Sequence, residues 1–327
     1  MYFDVARQSF IPAFLTLFGA VVAFVCLFDP LETATTSSVM APPLTAMLNR
    51  FQEAHPIWTK IATVWLLLVS GLSVGRMAVR YNLYSVNTCL PIALFAIICC
   101  GGLGRHIVLS ELVSLLFLVL AVKHLFRSFR HDYGFDGIFR AGLYLGISIM
   151  VQSQLIPMLL LLPAGVVVFQ RTFREVVVAI AGLLVGPATI CYIHWGMGGE
   201  FLDPLLLAWD NIVLGEPFVL LNELQIPQKI FLIIIVLFDM AGFGFFFSHI
   251  YAVGTKPRFI LGFQLAIFLL VLLVLCGPTA MTGNVALLAI PSAIILPFFW
   301  VRTRRIVSSF FYLVLLFATL FGLFAEL

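Results

Sequence analysis

About eleven apolar runs, each near the length of a membrane crossing, follow one another with short connections. They lie at 10–28, 57–75, 88–103, 107–124, 138–153, 155–170, 174–195, 229–249, 259–277, 283–300 and 306–325. A helix needs about 20 apolar residues to cross the hydrocarbon layer. Inside that layer every backbone polar group must be satisfied by the chain itself. The expected fold class is therefore all-α: a polytopic transmembrane helical bundle of about 11 spans. Composition closes the alternative of a water-soluble core. The chain is 62% hydrophobic and 10% charged, with mean hydropathy +1.14, whereas a soluble domain carries roughly 25% charged residues. The connections leave no room for a separate soluble unit, so residues 1–327 read as one integral membrane domain. The first run is followed directly by Asp29-Pro30 with no small-residue cleavage site, and it reads as a retained span. Runs 138–153 and 155–170 are short and meet at Gln152-Ser153-Gln154. They are either two crossings or one broken, re-entrant hairpin.

Charge sets the expected orientation. With the N-terminus in the cytoplasm, only Arg50, Lys60, Arg105 and Lys229 of the 18 Lys and Arg fall outside. The acids show the opposite bias: Asp29, Glu32, Glu53, Glu111, Glu200, Asp203, Asp210, Glu216, Glu223 and Glu326 all fall outside. Eleven spans then leave the C-terminus extracytoplasmic. The two long loops, 29–56 and 196–228, land on that outer face. In the first, Leu44, Met47, Leu48 and Phe51 share one helical face. In the second, Phe201, Leu202, Leu205, Leu206 and Trp209 alternate with Asp203, Asp210 and Asn211. Both read as helices lying in the interface, either as lids over helix ends or as walls of a cavity.

A net charge of +3 without a basic tail gives no reason to expect nucleic acid. The six Cys form no metal-ligand spacing, and no phosphate-cradling glycine loop or nucleophile elbow occurs, so neither a metal nor a cofactor is expected. Four positions carry candidate chemistry. Asp29 and Glu32 stand at a helix exit, where a partly desolvated carboxylate gains proton affinity and serves as a base; acids also end spans there simply because the region is wet. Arg105-His106 occupies a short outer turn, where an Arg grips phosphate bidentately, snorkels to headgroups, or pairs with Glu111. Arg50 is the remaining outer arginine, in the first loop. Asp239 lies in the middle of its span, at a depth where an ionisable group faces the bundle interior. It is either a relay or substrate contact, or a helix-packing acid, with Gln152, Gln154 and Gln264 as candidate partners.

The stretch Arg140-Ala-Gly-Leu-Tyr-Leu-Gly-Ile-Ser, running into Pro157-Met-Leu-Leu-Leu-Leu-Pro163 through a short polar break, resembles the middle of polytopic glycosyltransferases of the C-type fold. Arg171-Thr-Phe-Arg174-Glu175 followed by Gly182 and Pro187, and the late Asn284-Val-Ala-Leu-Leu-Ala-Ile-Pro291, fit the same layout. The chain is also similar to an inner-membrane protein family of Bacteroidota over most of its length. The resemblance implies a bacterial inner-membrane enzyme that takes a sugar from a polyprenyl phosphate. It implies a first-loop acid as catalytic base, matching Asp29 with Glu32 second, and a basic residue near the outer surface that binds the lipid phosphate, matching Arg105. Two points differ from the family layout. Two residues separate the acids, and the turn Gly277 to Asn284 lacks a basic residue. The alternatives to an enzyme are a non-catalytic subunit that docks protein partners of a cell-envelope complex, and a transporter. Membrane lipids are partners in every case.

Overall fold

The computed structural model describes residues 7–27, 42–104, 108–128, 134–213, 218–277 and 280–324. Within them the chain forms fourteen α-helices. In order these are α1 (Phe10–Leu27), α2 (Pro43–Ala54), α3 (Pro56–Arg80), α4 (Leu90–Leu103), α5 (Leu109–Ser128), α6 (Phe135–Val151), α7 (Leu161–Val168), α8 (Phe173–Gly196), α9 (Asp203–Val213), α10 (Val219–Glu223), α11 (Ile226–Ser248), α12 (Thr255–Cys276), α13 (Ala289–Arg302) and α14 (Arg305–Phe324). No strand occurs among the described residues. Eight helical stretches are long and apolar enough to cross a membrane, and α4 and the segment 153–168 are shorter apolar helices. This is an all-α, multi-pass membrane bundle.

The packing order follows from which helices need lipid. Every residue of α4 from Leu90 to Leu103 is buried. A helix that is apolar all round belongs inside, and α4 is enclosed by α1, α3, α11, α13 and α14. Fourteen residues give about 21 Å, short of the roughly 30 Å hydrocarbon layer, but its ends meet protein and not lipid. By contrast α1, α8 and α14 keep most of their surface outward, with Leu15, Leu184 and Phe317 exposed.

Two crossings do not start as α-helices. Ser153–Leu160 and Thr282–Leu288 are 3-10 helices that run directly into α7 and α13. The first lies in the stretch 138–170, where the sequence allows two crossings or one broken hairpin. Ser153 follows Gln152, which is bonded to Ser114 near the start of α5, while Phe169 meets Phe126 edge to face near its end. The segment therefore runs back alongside α5 from near its start to near its end. A 3-10 turn rises about 2.0 Å per residue, against 1.5 Å for an α-helix, so eight residues of each reach about 28 Å where sixteen α-helical residues reach about 24 Å. The extension lets a 16-residue segment cross.

Because that segment returns, α6 and α8 run parallel. They meet on glycines. Gly142 and Gly146 of α6 face Ala179, Gly182 and Leu183 of α8, while Gly182 and Gly186 face Phe139 and Leu143. Small residues four apart let two backbones touch, the main way helices associate where water provides no drive. Below this pair, Thr172 caps α8. Glu175 accepts from the Thr172 amide (3.0 Å), the Gly134 amide (3.0 Å) and Arg171 (3.3 Å), tying the start of α6 to the start of α8.

Candidate functional site

The most polar buried region lies where the 3-10 crossings begin. Gln152 and Gln154 border the first break and Asn284 lies in the first turn after the second. The Gln152 amide donates to Gln154 Oε1 (3.0 Å) and Asn284 Oδ1 (2.5 Å), and Asn284 Nδ2 donates to Gln154 Oε1 (2.5 Å). Ser114 of α5 donates to Gln152 Oε1 (2.7 Å), and Ser148 of α6 donates to the Ser114 carbonyl (3.0 Å). Each of the three amide oxygens is thereby paired, as polar groups in a low-dielectric interior require. The backbones come close here too. A Cβ on Gly102 would strike Ala286 of the second 3-10 helix, and one on Gly104 (φ +61°) would strike Gln228 of α11.

Both interfacial helices dock on this centre by their polar residues. On α2, Thr45 donates to the Val151 carbonyl and Gln52 accepts from the Leu109 amide (3.0 Å). On α9, Asn211 Nδ2 lies 3.5 Å from Ser153 Oγ. The apolar side of α2 faces away, with Met47 and Phe51 exposed. A soluble protein would turn that side inward; here the outside is lipid, so polarity is reversed. The two outer loops, read from the sequence as sharing a face, converge on residues 151–153.

Glu111 completes the centre. It sits in the first turn of α5 at 6% exposure, one turn before Ser114. A Cβ at Gly283 would fall on its carboxyl group, so the glycine makes the space the acid occupies. Its backbone carbonyl accepts from Ser114 (2.8 Å), yet among the described residues nothing donates to its carboxylate. The sequence reading had placed Glu111 only as a partner for Arg105. The signal for more was its one-turn spacing from Ser114, on the face that meets α6.

Of the residues singled out from sequence, Asp29, Glu32, Arg105 and His106 lie outside the described residues. Arg50 is exposed on α2. It sits two residues, about 200°, from Gln52, so it points away from the docked face and is not brought into the centre. Asp239 is fully buried on α11, but its partner is none of the three glutamines. Ser292 of α13 lies 2.5 Å from Asp239 Oδ2 and 2.7 Å from the Leu288 carbonyl, and Oδ1 has no partner among the described residues. Eight residues of mixed 3-10 and α-helix separate Ser292 from Asn284, roughly 15 Å. Asp239 is a second, deeper polar point. Among the described residues no three His, Cys, Asp or Glu side chains gather closely enough to hold a metal ion.

No family model matches the chain, and neither a curated protein nor a solved structure does.

Proposed function

We propose that this protein is a glycosyltransferase-like enzyme of the bacterial inner membrane, which moves a sugar from a polyprenyl-phosphate donor to an acceptor at the acid-rich, extracytoplasmic end of the bundle. The observation that carries the reading is the Glu111 carboxylate. It is buried, receives no hydrogen bond from the described residues, and lies beside Gly283 and the amide triangle on which α2 and α9 dock. A carboxyl group with no donor among the described residues suits a sugar hydroxyl, and the starts of α5 and of the second 3-10 helix add positive dipole ends beside it. The segment carrying Asp29 and Glu32 leads in sequence into α2, and Arg105-His106 immediately precedes α5. In this reading Asp29, seconded by Glu32, takes the proton of the acceptor hydroxyl. The acceptor oxygen bonds to the anomeric carbon, and the carbon–oxygen bond to phosphate breaks. The phosphate departs with the electron pair, stabilised by Arg105 with His106 beside it. Glu111 orients the sugar, and Arg50 stands at the rim.

The test is consumption of a radiolabelled polyprenyl-phosphate sugar by the purified protein. Asp29→Asn removes the base and lowers turnover by about 10²–10⁴-fold. Unchanged turnover would sink the assignment. A second reading, a non-catalytic subunit of an envelope complex, is favoured by the exposed row Leu202, Leu205, Leu206 and Trp209 on α9 and the residues leading into it. Stable co-purifying proteins together with no turnover by the wild type would select it. Transport is supported only by the depth of Asp239, and activity that survives Asp239→Asn counts against a proton-coupled form.

A further inference from the structure

The opposite, basic end of the bundle carries a different arrangement. Arg76 and Arg80 lie one turn apart on α3, and Lys123 and Arg127 lie one turn apart on α5. The two pairs line one hollow of about 230 Å³, whose wall is completed by Met77, Tyr81 and His124. Like charges at this spacing repel along each helix, and here they also face each other across the hollow. Basic residues that merely mark the cytoplasmic side need only point into water, each on its own. Compensation is missing among the described residues. Asp136 is engaged by Arg140 at 2.8 Å and Glu175 by Arg171 at 3.3 Å, and no carboxylate pairs with any of the four. Lys123 reaches only the hydroxyl of Ser73, at 3.5 Å. His124 Nδ1, in the same wall, is buried without a partner.

A second observation points to the source of the missing anion. Arg76 and Arg80 also border a larger hollow of about 720 Å³. It opens between α1, α3 and α4, and apart from the two arginines its lining is apolar or thiol-bearing: Phe10, Leu72, Val79, Cys89 and Ile92, with Gly75 at its floor. At Gly75 the absent side chain lets Ile92 approach α3. The volume is in the range of ligand pockets, about 300–1,000 Å³. The same two guanidinium groups thus stand at the junction of a cationic cavity and an apolar groove. A free phosphate has use for the cavity alone, whereas a lipid with a phosphate head has use for both.

We propose that the basic end holds one phosphate-headed lipid, its phosphate among Arg76, Arg80, Lys123 and Arg127 and its hydrocarbon chain in the groove between α1, α3 and α4. Arginine forks grip phosphate oxygens in pairs while lysine adds a point charge, and basic hollows between membrane helices suit anionic headgroups. The site stands apart from the acid-rich end and does not depend on the function proposed there.

The experiment uses the full chain in dodecyl maltoside, stripped of lipid. Native mass spectrometry counts bound dioleoylphosphatidic acid, and melting temperature is followed with that lipid, with dioleoylphosphatidylcholine and with inorganic pyrophosphate. The expected result is one saturable phosphatidic acid that raises the melting temperature. Its binding is about thirtyfold weaker in Arg76→Gln/Arg80→Gln, from two lost cations near the surface. Lys123→Met, a single change, gives a smaller loss and guards against misfolding of the double variant; circular dichroism and gel filtration report the fold of each. Val79→Trp fills the groove from its exposed side and weakens the lipid but not pyrophosphate. Pyrophosphate protection equal to that of the lipid, with no effect of Val79→Trp, overturns the lipid assignment in favour of a free phosphate. Phosphatidic acid binding that is unchanged in both charge variants, or matched by phosphatidylcholine, overturns the site altogether.

Discussion

Alanine at Gly142 or Gly182 should destabilise this protein, although alanine is the better helix former. Built on Gly182, a Cβ falls on the Phe139 carbonyl oxygen and lies 3.0 Å from its carbon; built on Gly142 it falls on the Ala179 carbonyl and lies 2.9 Å from the Leu183 amide. These neighbours are backbone and cannot rotate aside. Ordinary contacts begin near 3.4 Å, and the Gly146 Cβ would sit 2.5 Å from the Leu183 carbonyl, so α6 and α8 must part by about 1 Å. Overpacking of this kind costs about 1–3 kcal/mol, more than the 0.5–1 kcal/mol, roughly, that alanine gains over glycine within a helix. Gly19 and Gly262 supply the contrast, because a Cβ on either meets nothing within 4 Å; there alanine should stabilise by about 0.5–1 kcal/mol. The assay is reversible unfolding in mixed dodecyl sulfate and dodecyl maltoside micelles, followed by circular dichroism. Gly142→Ala/Gly182→Ala should cost less than the sum of its singles, because one separation relieves both clashes. Stabilisation by Gly142→Ala, or strict additivity of the pair, would refute the close-packed glycine interface.

Gln152→Leu strands the amides of Gln154 and Asn284 and should cost about 1–3 kcal/mol in the same assay; a neutral result means the buried network does not hold the two 3-10 crossings together. Ser292→Ala removes the donor facing Asp239, with a similar cost of about 1–3 kcal/mol. Combined with Asp239→Asn it should be non-additive, and additivity would separate the two residues energetically. With the exposed Cys26 and Cys276 replaced, a cysteine at Asp210 and one at Arg304 should react with a membrane-impermeant maleimide from opposite sides of intact cells and inverted vesicles. Labelling of both from one side would refute the orientation expected from the charge distribution.

The span pattern was legible because apolar length is a direct consequence of bilayer thickness. The run read as 174–195 forms a helix at Phe173–Gly196, and the one read as 283–300 becomes Thr282–Arg302. What hydropathy does not carry is the rise per residue. The run read as 155–170 is short by α-helical rise, and the segment that forms it begins as the 3-10 helix Ser153–Leu160. Amphipathicity gave α2 and α9 their place in the interface but not the direction they face, because that depends on whether the outside is water or lipid. The glycine spacing was visible at 142, 146, 182 and 186, yet spacing within a helix does not say which helix it meets. At the candidate site the limit is distance along the chain. Ser292 lies 53 residues from Asp239 and Asn284 lies 132 from Gln152, and one sequence offers nothing that pairs them.

The two breaks explain why Glu111 remains uncommitted. A helix start leaves backbone amides without partners, and side chains such as Asn or Gln nearby are the ordinary means of covering them. Neither 3-10 helix has a side-chain cap. Gln152, Gln154 and Asn284 instead bond to one another and to Ser114, fastening two separate crossings into one element at the same depth. The Gln152 and Asn284 amide groups are then spent on bonds within the triangle. Gly283, immediately before Asn284, has no side chain to fill the remaining space, and the Glu111 carboxyl occupies it. Among the described residues, the acid beside this junction is then left without a donor. That acid is enclosed by α5 and the second 3-10 helix and lies under the end of the bundle where α2 and α9 dock. A ligand with hydroxyl groups that arrives from that end meets an acceptor already fixed in position, and no amide need be released to bind it.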